Sequence, residues 1–427
     1  MKKALIITYF FPPALSVAGA RVFSWATYFK SYGIHPTVVT RHWKGDESKW
    51  ADLTNFNDRP IDYTRFPEYD IYRLPSEKIR GINFYRRYLS RLKVTSKIFH
   101  FVINALGHFN SEANARSAFS DFLLAHLKKN HYDLIIVSSP PLNLIRLAVE
   151  LKRKFSIPVH IDFRDLWNNN YLKNAYVPSF STKWIDFFKK IYINKWMKFA
   201  NSASTVSKPI ADYLENAFSR EFWVLTNGFD EILYLNKDRK TSENFRVSIL
   251  GSYYSSQNMD LLINGLLLFI KDKKINEITI FIVGLNVHSV VYDKVLNALP
   301  AEMIIKIDRV DANKAAQYVI NSEVILHSSW RGFKGIYTTK IFDFIASGNN
   351  ILMAPGDDDV ADALIVETNT GKIAENAEQV AEYLEIWYRE WEKSGIITFG
   401  GNKELIKKYG RKVIAEKFAF LLKQIFE

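Results

Sequence analysis

The sequence contains no cysteine. Disulfides, thiol nucleophiles and zinc–thiolate sites are therefore excluded, and the absence fits a reducing compartment. No stretch reaches the roughly 18 consecutive apolar residues of a membrane-spanning helix. The first residues, Met1–Ala20, combine two lysines, an apolar run and small residues, as a signal peptide would. Pro12-Pro13 breaks that run early, so the reading favoured here is a buried strand followed by a loop. No G-x-G-x-x-G follows that strand, which leaves a nicotinamide dehydrogenase poorly supported.

What the chain does have is positive charge and aromatic surface. Its formal net charge is +12, and aromatic residues make up 15% of it. Such a balance favours an anionic partner. No nucleic-acid recognition motif accompanies the charge, so a phosphate-rich ligand or an anionic lipid is expected, and no nucleic acid.

Short apolar runs alternate with helical patterns along the 427 residues. Ala4–Tyr9, Leu134–Ser138, Val159–Asp162, Phe245–Leu250 and Val324–His327 are continuous apolar strands of the kind found in parallel sheets covered on both faces. The alternation restarts after a polar stretch, Asn236–Asn244. The expected organisation is α/β: one doubly wound Rossmann-like domain over 1–235, a second over 236–395, and a closing helical segment over 396–427 that packs back toward the first domain. Ligands of such folds sit at the carboxyl ends of the strands, so the loops there carry the candidate chemistry.

After the first strand, Gly19 permits close backbone approach to a ligand, and Arg21 can pair with phosphate. After the strand ending at Asp162, the residues Asp162, Arg164 and Asp165 form a charged knot. Arg164 can be held between the two carboxylates, with at least one carboxylate left to face a ligand. The most informative run is Lys340–Gly348 (KIFDFIASG). Its flanks predict a helix that opens at the hydroxyls of Thr338 and Thr339 and closes at Gly348. Unpartnered amides at such a start attract anions. Lys340 adds a cation, and Asp343, three residues on, points to nearly the same side. Amides, hydroxyls, a lysine and a carboxylate on one rim suit a nucleoside diphosphate: phosphates at the amides, ribose at the carboxylate. An ordinary surface helix with a capping threonine would show the same residues. The acidic run Asp357–Asp359 is read as a solvated loop, and no metal is expected.

Two basic aromatic segments stand out. Lys78–His108 holds Arg86, Arg87, Lys93 and Lys97 and no acidic residue. Lys183–Lys198 repeats the theme with Trp184 and Lys189. Lysines beside aromatic faces are what interfacial helices use; apolar faces packed on the first domain, with the cations simply solvated, would show the same residues.

Taken in order, the motifs YFFPPALSVAGAR, DLIIVSSPP, HIDFRDLW, STVSKPI, TNGFD, ILGSYYSSQN and GIYTTKIFDFIASG make nearly the whole chain resemble the family 4 glycosyltransferases of two-domain GT-B architecture. The members closest to this pattern look like enzymes of bacterial surface-polysaccharide assembly. The resemblance implies transfer of a sugar from a nucleotide-sugar donor, with retention and without an obligatory metal or cofactor, to a sugar or lipid-linked acceptor. It implies an acceptor-binding first domain and a donor-binding second domain; with the basic aromatic segments, the expected location is cytoplasmic, with peripheral contact to the inner face of the plasma membrane. Within it, Gly19 and Arg21 lie near the donor phosphate or the acceptor. Gly251, Ser252, Tyr253 and Gln257 face the pyrophosphate, and Val310 binds the base through its backbone. The amides of Lys334, Gly335 and Ile336 replace a sugar contact that the family commonly makes through a glutamate, for which this chain has Gly335. Thr338, Thr339 and Lys340 hold the diphosphate, with Arg331 and Lys334 as further candidate cations, and Asp343 holds the ribose. Asp162 or Asp165 polarises the acceptor beside Arg164. A catalytically silent GT-B subunit that binds lipid or a partner, or a nucleotide-sugar epimerase, is the alternative.

Overall fold

A computed structural model describes residues 1–14, 17–43, 59–75, 118–166, 180–234, 243–253, 257–273, 277–285 and 290–426. The chain divides into two compact units, Met1–Thr226 with Ala415–Glu427, and Asn227–Ile414.

In the first unit, eight strands form one sheet in the order β3-β4-β2-β1-β5-β6-β7-β8. They are β1 (Lys2–Thr8), β2 (Ile34–Arg41), β3 (Asp62–Arg65), β4 (Asp70–Leu74), β5 (Leu134–Ser139), β6 (Val159–Phe163), β7 (Ser202–Thr205) and β8 (Trp223–Val224). All neighbours are parallel except the β3–β4 pair. Ala4–Ile7, Leu134–Val137 and Val159 are fully buried. Covering helices bury both faces of such a sheet, so its strands are apolar throughout rather than alternating. The helix Asn143–Phe155 shows the complementary pattern. Leu144, Leu147, Ala148 and Leu151 face the core, while Lys152, Arg153 and Lys154 occupy its last turn, where the helix dipole favours cations.

In the second unit, six parallel strands run in the order β11-β10-β9-β12-β13-β14. These are β9 (Phe245–Leu250), β10 (Ile278–Val283), β11 (Ile304–Ile307), β12 (Val324–His327), β13 (Asn350–Met353) and β14 (Gly371–Ile373). One face of this sheet packs through Val247, Ile249, Ile280, Leu326 and Leu352. The other packs through Leu250, Ile325, Ile351, Ile341 and Phe344. Alternate residues of β9, β12 and β13 thus feed two separate cores.

The boundary differs from the expected one. The first unit closes at Thr226 rather than at 235, and it reclaims the chain's last residues from Ala415 rather than treating 396–427 as one segment. Packing explains the return. The Phe418 ring lies 4.9 Å from both Trp25 and His160, and Lys417 donates to the Val224 carbonyl at 3.2 Å. Most of the expected linker, 236–242, lies outside the described residues.

Candidate functional site

At the carboxyl edge of the second sheet, β9 ends at Leu250 and turns at Gly251, whose φ is +72°. A Cβ there would come within 2.8 Å of the Lys340 Cδ. Glycine thus supplies both the left-handed turn and the space that Lys340 fills. The Lys340 ammonium donates to the Leu250 carbonyl at 2.8 Å and to the Ser252 carbonyl at 3.1 Å. It sits 3.9 Å from the centre of the Tyr253 ring, a cation–π contact. No carboxylate pairs with it among the described residues. Burial pushes its pKa down to about 7, as expected for an amine desolvated without a counter-charge.

Tyr253 is itself buried and fixed. Its hydroxyl meets His327 Nδ1 at 3.0 Å, and His327 Nε2 meets the Thr338 hydroxyl at 3.1 Å. Burial, with the nearby Lys340 charge adding to it, holds His327 well below its ordinary pKa, so the imidazole is neutral. A chain Tyr253–His327–Thr338 thus locks the floor beneath Lys340. Sequence reasoning missed His327. Its only signal was an imidazole closing an otherwise apolar strand. Gln257 is also structural, donating to the Ser328 carbonyl at 2.8 Å.

The helix beside this floor, Lys340–Ala346, begins where the flanks predict it and is seven residues long. Thr339 precedes it and makes no capping hydrogen bond. Asp343 faces a different set of groups from Lys340. The Tyr234 hydroxyl hydrogen-bonds to its carboxylate, with Arg411 and Asp230 nearby. Burial raises its pKa to about 7, and the Arg411 charge opposes that rise. The single rim expected for Lys340 and Asp343 is therefore split. Lys340 lies over Tyr253, and Asp343 lies against Tyr234.

Two of the other candidate cations are already engaged. Arg331 pairs with Glu375 and, at 3.2 Å, with Asp358. Lys334 donates to the Asp358 carbonyl at 2.8 Å. The Gly335 amide, expected at the sugar, donates to Asp359. Ile336 lies in the same loop, partly exposed. Val310 follows β11, its side chain packed on the core. The acidic run is a helix cap rather than a solvated loop: the Asp357 carboxylate accepts the amides of Asp359, Ala361 and Asp362 at 3.0–3.1 Å. No group of residues that could hold a metal occurs among the described residues.

At the carboxyl edge of the first sheet, the charged knot resolves differently from its reading in sequence. Asp162 is fully buried. It accepts from Arg21 through both carboxylate oxygens, at 2.7 and 3.0 Å, from Ser204 at 2.7 Å and from Ser138 at 3.4 Å. Arg21 also donates to the carbonyls of Leu225 and Thr226. The Asp162 carboxylate is thus occupied by an ion pair rather than open to an acceptor. Arg21 is likewise spent on Asp162 and not available to phosphate. His160 extends the chain, with Nε2 at 2.9 Å from the Ser204 hydroxyl, and burial pushes its pKa down to about 3. Gly19 is buried against the chain itself: a Cβ there would meet the Phe11 backbone at 3.4 Å, an ordinary contact. Arg164 is not held between the two carboxylates; it pairs with Asp165 alone, at 3.3 Å, and Asp165 stays 63% exposed.

Of the membrane candidates, Arg86, Arg87, Lys93 and Lys97 lie outside the described residues. Trp184 falls on the helix Phe180–Met197. Lys189, on the same helix, is buried, so it does not offer its charge to a lipid surface. Phe187 and Ile191 are each about half exposed, and Lys190, Lys195 and Lys198 are exposed near them. No described helix is long and apolar enough to cross a membrane.

The sequence matches no family model and no curated protein. Its fold does match solved structures over the whole chain. It is similar to sucrose-phosphate synthase from Thermosynechococcus elongatus, with TM-score 0.62 and 14% identity, covering 100% of this chain and 99% of that one. It is similar to Anabaena HepE in complex with UDP-glucose, with TM-score 0.61 and 11% identity, covering 99% of this chain and 100% of that one. A UDP-N-acetylglucosamine 2-epimerase from Listeria monocytogenes also matches, with TM-score 0.54 and 12% identity, covering 99% of this chain and 96% of that one. The fold is thus the α/β GT-B fold of two Rossmann-like domains.

Proposed function

We propose that the protein is a retaining glycosyltransferase that uses a nucleotide-sugar donor. The observation that carries this reading is Lys340, a partly buried ammonium held by carbonyl oxygens and an aromatic face, without a carboxylate, at the carboxyl edge of a Rossmann-like sheet. A cation so placed is completed by an anion. In transfer, the bond between the anomeric carbon and the diphosphate oxygen breaks, and its electron pair goes to the diphosphate. Lys340 stabilises that growing charge, with Thr339 free to add a hydroxyl and Thr338 set in place by His327. The acceptor hydroxyl bonds to the anomeric carbon from the face the diphosphate leaves and gives up its proton. Asp165, exposed after β6, is the carboxylate assigned to that proton now that Asp162 is committed to Arg21. Asp343, paired with Tyr234, is the group assigned to the ribose. Neutralisation by Lys340 removes the need for a metal ion.

The acceptor assigned is a sugar or lipid-linked sugar of a bacterial surface glycan, met at the cytoplasmic face of the membrane. Phe187 and Ile191 beside Lys190, Lys195 and Lys198 support peripheral contact with anionic lipid. Replacing Arg86, Arg87, Lys93 and Lys97 with glutamine should weaken binding to anionic vesicles by orders of magnitude at low salt, at about 1 kcal/mol per cation, and less at high salt. Wild-type protein that ignores such vesicles at low ionic strength would remove the membrane from the account.

The functional test is incubation with a panel of nucleotide sugars. The expected product is a free nucleoside diphosphate, released with the α or β configuration of the donor kept in the glycoside. A nucleotide sugar returned with only a carbon inverted would instead identify an epimerase.

A further inference from the structure

The first unit carries a second buried guanidinium that the donor chemistry does not use. Arg164, just after β6, is 7% exposed. Its Nη2 donates to the Pro140 carbonyl at 2.9 Å, and its Nε donates to Asp165 at 3.3 Å. The guanidinium lies 4.7 Å from the centre of the Phe10 ring. Among the described residues, its Nη1 is buried and has no hydrogen-bond partner. The hydroxyl of Ser139, the last residue of β5, is also buried and without a partner. The two residues meet through their backbones at one strand edge, where the Arg164 amide donates to the Ser139 carbonyl at 3.2 Å.

Unpartnered buried polar groups are rare in folded proteins and each needs a reason. Arg21, at the same sheet edge, shows what a purely structural arginine looks like here: a bidentate carboxylate and two carbonyls. Arg164 has only a single long contact to a mostly solvated carboxylate, which neutralises it weakly. A guanidinium fork with an open edge suits the oxygens of a phosphate, and the Ser139 hydroxyl is a second unpartnered group on the adjoining strand end. The Phe10 ring, stacked on Trp43 at 5.3 Å, gives the site an apolar wall.

We propose that Arg164 Nη1 and the Ser139 hydroxyl bind a phosphate group carried by the acceptor. This rests on the transferase reading and narrows it: the acceptor is a phosphorylated sugar or a sugar linked through phosphate to lipid. The bound phosphate takes over the guanidinium from Asp165 and leaves that carboxylate to the acceptor hydroxyl.

The test measures binding of inorganic phosphate, glucose 1-phosphate and geranyl phosphate, with glucose as the neutral control, by calorimetry. The proteins are the wild type and the variants Arg164→Gln, Arg164→Lys, Ser139→Ala and Lys340→Ala. Lys340→Ala should lose only the phosphate held at the donor site and keep the phosphate bound at Arg164. Arg164→Gln should lose about tenfold or more in affinity, as for a lost charge-assisted bond. Ser139→Ala should lose less, and Arg164→Lys should recover part of the affinity. Tighter binding of glucose 1-phosphate assigns a sugar phosphate, and tighter binding of geranyl phosphate assigns a lipid phosphate. Phosphate binding that in the Lys340→Ala background survives Arg164→Gln and Ser139→Ala, that is abolished by Lys340→Ala alone, or that is absent from the wild type overturns the proposal. If Arg164→Gln does not fold, Ser139→Ala and Arg164→Lys decide. Phosphate binding at Arg164 in a protein that binds no nucleotide sugar would uphold the anion site and reject the transferase reading. Nucleotide-sugar binding without phosphate binding would do the reverse.

Discussion

The two sheets treat a buried cation at their carboxyl edges in opposite ways. In the first unit, Arg21 meets Asp162 through two hydrogen bonds and spends the rest of its fork on backbone carbonyls. In the second, Lys340 meets only carbonyls and a ring, and burial leaves its proton held about as loosely as a neutral-pH base holds one. A buried charge with a complete set of partners belongs to the fold. A buried charge missing its counter-ion belongs to whatever brings one. Substitutions at the first edge should therefore register as stability, and substitutions at the second as ligand affinity.

The largest effect expected is on the first edge. Asp162→Ala leaves Arg21 buried without its carboxylate, which should cost about 3–5 kcal/mol of unfolding free energy, read by urea denaturation. A variant that melts like the wild type would show the ion pair to be dispensable and erase the contrast. The matching change on the second edge, Lys340→Ala, should not lower stability, because burial of the ammonium already opposes its charge. It should weaken binding of the cognate nucleotide sugar by about 1.5–3 kcal/mol, the size of a hydrogen bond to a charged group, and Lys340→Arg should not restore it.

Asp343→Asn should also weaken donor binding, with a stability signature that sharpens the comparison. The folded carboxyl titrates near 7, above its unfolded value near 4. Between those values the native state binds more protons than the unfolded state, so its contribution to stability falls as pH rises from about 4 to 7. The variant should therefore gain stability relative to the wild type at pH 8 compared with pH 5. A pH-independent difference in melting temperature would contradict that environment.

The smallest effect is the proton taken up by Lys340. Its folded pKa lies below its unfolded value, so free protein loses that proton as pH rises through about 7, and a bound diphosphate restores it. Affinity for a nucleotide sugar should fall by up to about tenfold per pH unit above 7. The binding enthalpy should depend on the buffer's ionisation heat at pH 8, and both effects should vanish in Lys340→Ala.

Much of this was legible in the sequence. The buried parallel strands announced themselves as unbroken apolar runs, and the helix at Lys340 by its flanking hydroxyls and glycine. β3 and β4 were not legible, because Asp62–Arg65 and Asp70–Leu74 carry charges that keep them from looking like buried strands. β14 spans only three residues. At the sites, the spacing that put Asp343 on Lys340's side of a helix could not reveal Tyr234, which comes from another element and draws the carboxylate to itself. Nor could adjacency in HIDFRDLW show that Asp162 pairs with Arg21, 141 residues away, and not with Arg164. Local spacing carries helix faces and strand ends. The partner that decides whether a charge is structural or functional arrives through the sheet's crossover connections.

The most direct measurement is calorimetric titration of wild type and Lys340→Ala with a panel of UDP-, GDP-, ADP- and dTDP-sugars at pH 6.5. At least one should bind the wild type, its affinity should drop at least about tenfold in the variant, and the variant without ligand should melt no lower than the wild type. Equal affinity in the two proteins would place the diphosphate elsewhere and contradict the assignment of Lys340.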